Sequence, residues 1–566
     1  MRKRPKFVIL LAFLAAMLNA CGSQIPGISG TPGGPPAGAI EVTVAYGSEK
    51  QIWMEAVTKD FNSQNKKTAS GKPIFVTATP MGSNDSLNQI LSGTIKPTVW
   101  SPASAILVPV ANQRWAAQNN GAKLIGTDPP RLLLSPVVIA MWEPMARALG
   151  WPDKQLGWTD IGELAKSGKT WADYGRPEWG AFQFGHTHPD YSNSGITSII
   201  ATVYAATNKT RGLTVADVNK PETAAFLGAV ESGVIHYGES TGFFADQMFN
   251  RGPGYLSAAV LYENLVIQSH DKTLYPNLGT PVVAIYPREG TFWSDHPYAI
   301  LDAPWVSADQ HAGAEAFRDF LLAKPQQELA LKNGFRPADP SVPIAAPIDA
   351  TNGVDPLQPK TLLEVPSADV IDAIGKIWVQ NKKRVDVQVV LDVSGSMEDE
   401  GRLEQAKAAL RDFVNQLAED DQLGLTIFSD RASELSPMSP VGPKRAELLD
   451  RISGLVPQGG TRLLDTVKEA YQKLNAIDAS QHIRAIVMLT DGLDNKSTSS
   501  PSEISALLQK NTEGRSIKVF TIAFGGDADV NLLKDIATAS GAKSYVAKPN
   551  EPGSITQVYR NIATFF

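Results

Sequence analysis

Between residues 40 and 350, short apolar runs alternate with stretches whose apolar residues recur three and four positions apart. That alternation is expected of strands joined by crossover helices. Residues 41–45 read as a first strand. Gly47 and Ser48 end it, and Ile52, Trp53, Ala56, Val57 and Phe61 then fall on one face of a helix. Residues 74–79 and 97–100 read as further strands, the latter followed by a Ser-Pro-Ala-Ser turn at 101–104, and 132–141 forms another before a helix opening at Glu143. The apolar run 256–261 ends abruptly in Tyr262, Glu263 and Asn264. The pattern predicts an α/β architecture built on parallel sheets.

Residues 340–366, rich in Pro, Asp and small side chains, mark a boundary, and a helical stretch follows at 368–380. The run 385–391 is apolar enough to be buried on both faces. It precedes an amphipathic helix whose inner face carries Leu403, Ala406, Leu410, Phe413, Val414 and Leu417. Strands at 423–428, 483–489, 517–524 and 544–547, a short edge strand at 432–438, and helices at 463–474 and 532–539 complete the segment. The expectation is a doubly wound sheet of about six strands.

At the start of the chain, Arg2, Lys3, Arg4 and Lys6 precede an unbroken apolar run over 7–18, long enough for a signal peptide and too short to remain as a membrane span. The sequence Leu18-Asn19-Ala20-Cys21 resembles a bacterial lipobox. That resemblance implies a lipoprotein signal peptide over 1–20 and lipid attachment at Cys21, which becomes the first mature residue. Residues 22–39 carry no charge and no helical or strand period, as expected of a Gly/Pro-rich flexible tether, so 21–39 is read as lipidated cysteine and linker.

With 566 residues, the chain has room for three or four units of about 150 residues each. Its 43% hydrophobic and 19% charged content suits folded domains. Cys21 is the single cysteine, so an internal disulfide, a Cys-rich zinc site and a redox pair are all excluded. The formal charge is −6, and loss of the four leader cations takes it to −10. Such a chain has no basic footprint for nucleic acid.

Two pieces of the middle segment carry a family likeness: AFQFGHTHPDYSNSGITSI at 181–199, where a strand leads into a Ser/Gly turn opening an apolar helix, and FRDFLLAKPQQELALKNGFRPADP at 317–340. With the order of strand and helix signals, they resemble extracellular solute-binding proteins of the type II periplasmic group. The resemblance implies a two-lobed module over 40–350 whose lobes close on a ligand. Matching turns to that pattern nominates Ser48, Ser101, Asn193, Ser194 and Tyr262 as solute contacts. Helix N-termini beside such residues offer free N–H groups and partial positive charge, which suit an anion such as a small oxyanion. His186 and His188, two apart on a strand, are read as hydrogen-bonded histidines in preference to metal ligands. Trp142, Trp151, Trp158, Trp171 and Trp179 are read as packing residues.

The C-terminal segment carries the sharpest motif. Asp392, Ser394 and Ser396 form D-x-S-x-S at a strand end, Thr461 lies in a Gly-rich turn before a helix, and Asp491 opens a T-D-G turn after the strand at 483–489. All are hard oxygen donors on the rim where open α/β sheets bind ligands. The set resembles the metal-ion-dependent adhesion site of the von Willebrand factor A (vWA) domain, a Rossmann-like fold, over 384–566, with 351–383 as linker and connecting helix. The resemblance implies Mg²⁺ or Mn²⁺ held by Ser394, Ser396 and Thr461, with Asp392 and Asp491 acting directly or through water, and a protein partner supplying a carboxylate to the metal.

Catalytic motifs fail: the Gly162 to Thr170 stretch has the wrong spacing for a phosphate loop, Leu532 and Thr538 break a calcium loop, and Ser394 lacks a G-x-S-x-G setting. The sequence therefore reads as a non-enzymatic lipoprotein, lipid-anchored at the extracytoplasmic face of the membrane, that binds a small solute and a protein partner. The alternatives are an adhesion or assembly scaffold whose receptor-like region binds nothing, and a conventional subunit delivering substrate to an ABC permease.

Overall fold

The computed structural model describes residues 34–477, 482–509, 517–551, 553–563 and 565. The predicted leader, Cys21 and the first part of the tether lie outside the described residues.

Three sheets organise the chain. In the first lobe, Ile40–Gly47 lies between Ile74–Met81 and Val99–Ser101, both parallel to it, and Ala299–Ile300 closes the edge antiparallel. Helix Gln51–Ser63 covers this sheet with Trp53, Met54, Val57, Thr58 and Phe61. The inner face is thus rotated from the expected one: Ile52 and Ala56 are exposed, because Met54 and Thr58 at the same helical period supply the buried stripe instead.

The second lobe departs from the all-parallel expectation. Its longest strand, Leu133–Trp142, runs antiparallel to Ala258–Tyr262 and to Val282–Ile285. Only Phe184–Thr187, Val234–Gly238 and Ala258–Tyr262 associate in parallel. Every residue of Ala258–Tyr262 is buried, which accounts for its continuous apolar run. Trp142, Trp158 and Trp171 are core residues.

The lobes exchange chain three times. Two of the crossings lie side by side, where Arg131 bridges Pro297 and the Leu132 N–H donates to the His296 carbonyl at 3.1 Å. The third runs into Arg336–Pro337, which pairs with Leu133 and Leu134.

Residues 351–383 are not a free spacer. The Ala284 N–H donates to the Gly353 carbonyl, Leu363 bonds Thr291, and helix Ala368–Asn381 lies on helices Asn193–Thr207, Val215–Val218 and Pro221–Ser232 of the second lobe. Trp378 of that helix is buried with its ring 4.9 Å from His188 and 5.5 Å from Tyr237.

The third sheet has six strands in the order Ala432–Pro440, Gln422–Phe428, Val385–Asp392, Ile483–Thr490, Lys518–Phe524 and Ser544–Ala547. All are parallel except the first, an antiparallel edge. Val385–Asp392 and Ile483–Thr490 are buried at every position, as central strands covered by helices on both faces must be. The N-terminal ends of this sheet meet the second lobe: Arg251 donates to the Gly541 carbonyl, the Tyr237 N–H donates to the Phe565 carbonyl at 3.4 Å, and Lys518 sits 5.5 Å from the Tyr255 ring. The C-terminal strand ends point the other way, roughly 25 Å along an eight-residue strand.

Candidate functional site

Two sites are built on these sheets. The first lies between the lobes, which are closed on each other. Strand Ile40–Gly47 ends in the turn Ser48-Glu49-Lys50, and from the opposite lobe helices Asn193–Thr207 and Thr241–Arg251 begin at the same place. The Gly242 N–H donates to Ser48 Oγ at 3.1 Å, and Asn264 Nδ2 donates to the Glu49 carbonyl at 3.0 Å. Lower on the cleft, the Asp85 N–H donates to the Tyr191 carbonyl at 3.0 Å.

The sequence-nominated residues fall into one linked set. Asn193 Nδ2 donates to Tyr262 Oη at 3.0 Å, and Ser194 Oγ lies 2.8 Å from Thr241 Oγ1, beside the Gly242 that holds Ser48. Ser101 joins through its carbonyl, which accepts from Lys50 Nζ at 2.8 Å. Asn193, Ser194, Ser101 and Tyr262 are all buried.

Sequence reasoning missed Glu49, Lys50, Thr241, Ser294 and His296 here. Lys50 is fully buried, 3.2 Å from Glu49 Oε1, and His296 Nδ1 lies 3.2 Å from the same oxygen. Burial opposes ionisation of Glu49, but the Lys50 charge and the His296 bond outweigh it and hold the carboxyl down to about 2. Burial and the Lys50 charge push His296 below its ordinary value, against the opposing pull of Glu49 and Asp295. A charged pair in a turn reads as surface in any sequence, and a lone His in Ser-Asp-His-Pro carries no motif. The available signal was their position at the end of the first strand and at a lobe crossing.

Four polar atoms of this set are buried without a protein partner: Ser101 Oγ, Asn193 Oδ1, Ser294 Oγ and His296 Nε2. Such atoms cost roughly 1–3 kcal/mol each when nothing satisfies them. A cavity of about 390 Å³ opens at the rim of the cleft, lined by Ser48, Glu49, Glu239, Gly242 and Phe243 and by Lys543 of the C-terminal module; Ser101, Asn193, Ser294 and His296 do not line it. His186 and His188 lie apart from this set. His186 Nε2 sits 3.0 Å from Glu231 Oε1, and His188 is buried against Trp378.

The second site occupies the C-terminal ends of Val385–Asp392 and Ile483–Thr490. Asp392 Oδ1 accepts from the Ser394 N–H at 2.7 Å and Oδ2 from Thr490 Oγ1 at 2.5 Å. Ser394 Oγ lies 3.1 Å from Ser396 Oγ, which donates to Asp491 Oδ1 at 2.8 Å. Thr461 is brought in by its turn: its N–H donates to Asn495 Oδ1 at 3.0 Å, and the Gly395 N–H donates to the Gly459 carbonyl at 3.0 Å. Gly492 keeps the centre clear. A Cβ there would stand 3.3 Å from Thr461 Oγ1 and 3.7 Å from Ser396 Oγ.

Burial pushes the Asp392 carboxyl up to about 6, with Asp491 adding to the rise against the bonds from Thr490 and Ser394. Arg402, absent from the sequence reading, donates to Asp491 Oδ2 at 2.9 Å and also reaches Asp527 and Glu400. Among the described residues no three His, Cys, Asp or Glu side chains gather as a metal cluster. The donors here are three hydroxyls and two carboxylates around a space that a side chain at Gly492 would fill, a set that fits a hard divalent cation retaining water.

The family model for bacterial extracellular solute-binding proteins matches residues 42–336, more than half of the chain. The chain belongs to that family. The model for the von Willebrand factor type A domain matches residues 386–561, so this solute-binding family member carries a C-terminal vWA domain. Inter-alpha-trypsin inhibitor heavy chain H4 of Homo sapiens is 27% identical over 164 residues, 27% of this chain and 17% of that protein. The chain thus spans about a sixth of the length of the curated relatives it first matches. A periplasmic thiamin binding protein has 14% identity, with 62% of this chain and 100% of that one covered and a TM-score of 0.44. A von Willebrand factor type A protein from Catenulispora acidiphila has 20% identity, with 32% and 42% covered and a TM-score of 0.28. Neither family is generally enzymatic, and solute-binding membership accords with an extracytoplasmic location. Among the described residues no helix is long and apolar enough to cross a membrane.

Proposed function

We propose that the protein is an extracytoplasmic receptor, anchored through lipid on Cys21, that encloses a small solute between its lobes and docks a protein carboxylate through Mg²⁺ or Mn²⁺ at Asp392, Ser394, Ser396, Thr461 and Asp491. The observation that carries the solute reading is the cluster of buried, unpartnered polar atoms on Ser101, Asn193, Ser294 and His296, within the set that links Ser48, Ser194 and Tyr262. Buried polar atoms are ordinarily satisfied, and a ligand held by the closed lobes would satisfy these four together.

Native mass spectrometry of the purified chain, paired with thermal unfolding against oxyanions, sugars, amino acids and peptides with Mg²⁺ or EDTA, tests both halves. A solute-specific rise in unfolding temperature that is indifferent to metal supports the receptor. Metal shifts with no solute shift favour the scaffold reading. Binding of a dedicated permease to the lobes without Mg²⁺ would make transport delivery the principal role.

A further inference from the structure

A cation of the chain itself is built into the rim of the vWA domain, and it bears on how metal and partner depend on each other there, an inference that rests on the metal-docking reading above. Arg402 opens the helix Arg402–Gln416. Glu400 and Gly401 just before it both take left-handed backbone, with φ of 53° and 66°, so the chain reverses sharply ahead of a helix whose first side chain is buried. The guanidinium lies against bare backbone at the end of strand Lys518–Phe524. A Cβ on Gly525 would stand 3.0 Å from its Cζ and 3.1 Å from Nε.

Arg402 Nη1 donates to Asp491 Oδ2 at 2.9 Å, and Nη2 lies 3.3 Å from Asp527 Oδ2 and 3.5 Å from Glu400 Oε2. These three carboxylates are unequal. The Asp491 side chain is fully buried, whereas those of Asp527 and Glu400 are 73% and 44% exposed, so water screens the outer two and the Arg402 charge acts chiefly on Asp491.

The two carboxylates of the candidate metal set are therefore electrically different. Asp392 accepts from the Ser394 N–H and the Thr490 hydroxyl, both neutral donors. Asp491 accepts from the Ser396 hydroxyl through Oδ1 and from a permanent cation through Oδ2. Ser394, Ser396 and Thr461 contribute no charge. Asp392 is thus the one carboxylate of the five-residue set that no side-chain cation offsets in these bonds, too little to balance a divalent ion.

We infer that Arg402 sets the balance between metal and partner: by offsetting Asp491 it weakens metal binding and strengthens capture of an outside carboxylate, so that each binds well only with the other. By linkage, a carboxylate then raises metal affinity by the same factor as metal raises carboxylate affinity. A guanidinium that served only to pin the turns at Asp491 and Asp527 would behave differently, since its loss would slacken the donor set and weaken both.

Titration calorimetry of the full extracytoplasmic chain with Mn²⁺ and with Mg²⁺ reads both effects. The titrations are run at pH 7.5 in concentrated sodium acetate, as the carboxylate probe, and in sodium chloride of equal ionic strength, with free metal corrected for complexation by acetate. In the wild type, acetate should tighten Mn²⁺ binding at least roughly fivefold. Arg402→Gln keeps an amide donor and removes the charge. It should bind Mn²⁺ at least roughly fivefold tighter than the wild type in chloride, while losing most of the acetate effect. Arg402→Lys, which keeps the charge, should stay closer to the wild type than to the glutamine variant on both counts. Wild-type metal affinity that is indifferent to acetate overturns the inference whether or not the variants fold. So does a glutamine variant, folded by circular dichroism, whose metal affinity falls or is unchanged, or a lysine variant that follows the glutamine one. In each of those cases the metal site itself still stands. Absence of Mn²⁺ and Mg²⁺ binding in all three proteins overturns the metal reading together with this one.

Discussion

Lys543 Nζ of the vWA domain lies 3.4 Å from Glu239 Oε2 of the second lobe, and the same ammonium stands 4.7 Å from the Phe243 ring. Glu239 lies two residues before the helix Thr241–Arg251, whose Gly242 N–H reaches Ser48 in the opposite lobe. The vWA domain thus touches the rim of the cleft between the lobes directly. The contact is half-exposed, so Lys543→Ala alone should cost about 1 kcal/mol or less. Combined with Arg251→Ala, which removes the bond to the Gly541 carbonyl, it should split one calorimetric transition into two, the vWA domain melting apart from the lobes. A single unsplit transition in the double variant would mean that the apolar contacts of Phe565 and Trp378 suffice to join them.

Closure of the lobes has its own sensitive point. A Cβ on Gly242 would stand 2.8 Å from the Ser48 carbonyl oxygen and 3.1 Å from Ser48 Oγ. Gly242→Ala should therefore hold the lobes apart, weakening solute affinity at least roughly tenfold and enlarging the radius of gyration by small-angle scattering, without loss of Mg²⁺ response. An unchanged scattering curve in the presence of solute would show that the closed geometry tolerates the methyl group.

At the metal end, Asp392→Asn keeps shape and volume but removes a charge, and Ser394→Ala removes a hydroxyl. Each should abolish at least 90% of the Mg²⁺-induced stabilisation, which for a ligand at 100 times Kd amounts to about 2.7 kcal/mol and is read as a rise in unfolding temperature. Solute binding should be untouched in both. Retention of the full Mg²⁺ shift in Asp392→Asn would move the metal site elsewhere.

Acid should weaken the junction between the modules. His236 is buried beside Phe565 and Tyr255, and burial together with the Lys518 charge pushes its imidazole down to about 3. An unfolded histidine titrates near 6.5, so between about pH 6.5 and 3 the unfolded chain binds a proton that the native chain refuses. Stability contributed by neutral His236 is therefore complete above about pH 6.5 and is lost as the pH falls, by about 1.4 kcal/mol per unit. His236→Phe should flatten the decline in urea midpoint between pH 7 and 5 relative to the wild type; parallel curves would assign the acid sensitivity to other groups.

Much of the vWA domain was legible because its central strands are buried on both faces and so appear as apolar runs: 385–391 and 483–489 were each read one residue short of the observed strand. The second lobe was less so. The run that forms Leu133–Trp142 looks the same whether its neighbours are parallel or antiparallel, since pairing direction leaves no mark on composition. In helix Gln51–Ser63, two overlapping apolar stripes compete, and only packing against the sheet selects Met54 over Ile52. The cleft was legible through its Ser, Asn and Tyr at strand and helix ends. Glu49, Lys50 and His296 were not, because a charge pair is recognisable as buried only once the opposite lobe is in place.

The first strand of the described chain belongs to one lobe, whereas the vWA domain rides on the other. Anything gripping the start of the chain and anything gripping the metal end therefore pull on opposite jaws. Tension between them would load the bonds of Ser48 with Gly242 and of Glu49 with Asn264 in the direction that parts them. A load along the chain would act on the few hydrogen bonds that close the lobes, the same bonds that a solute held between them would help to keep in place.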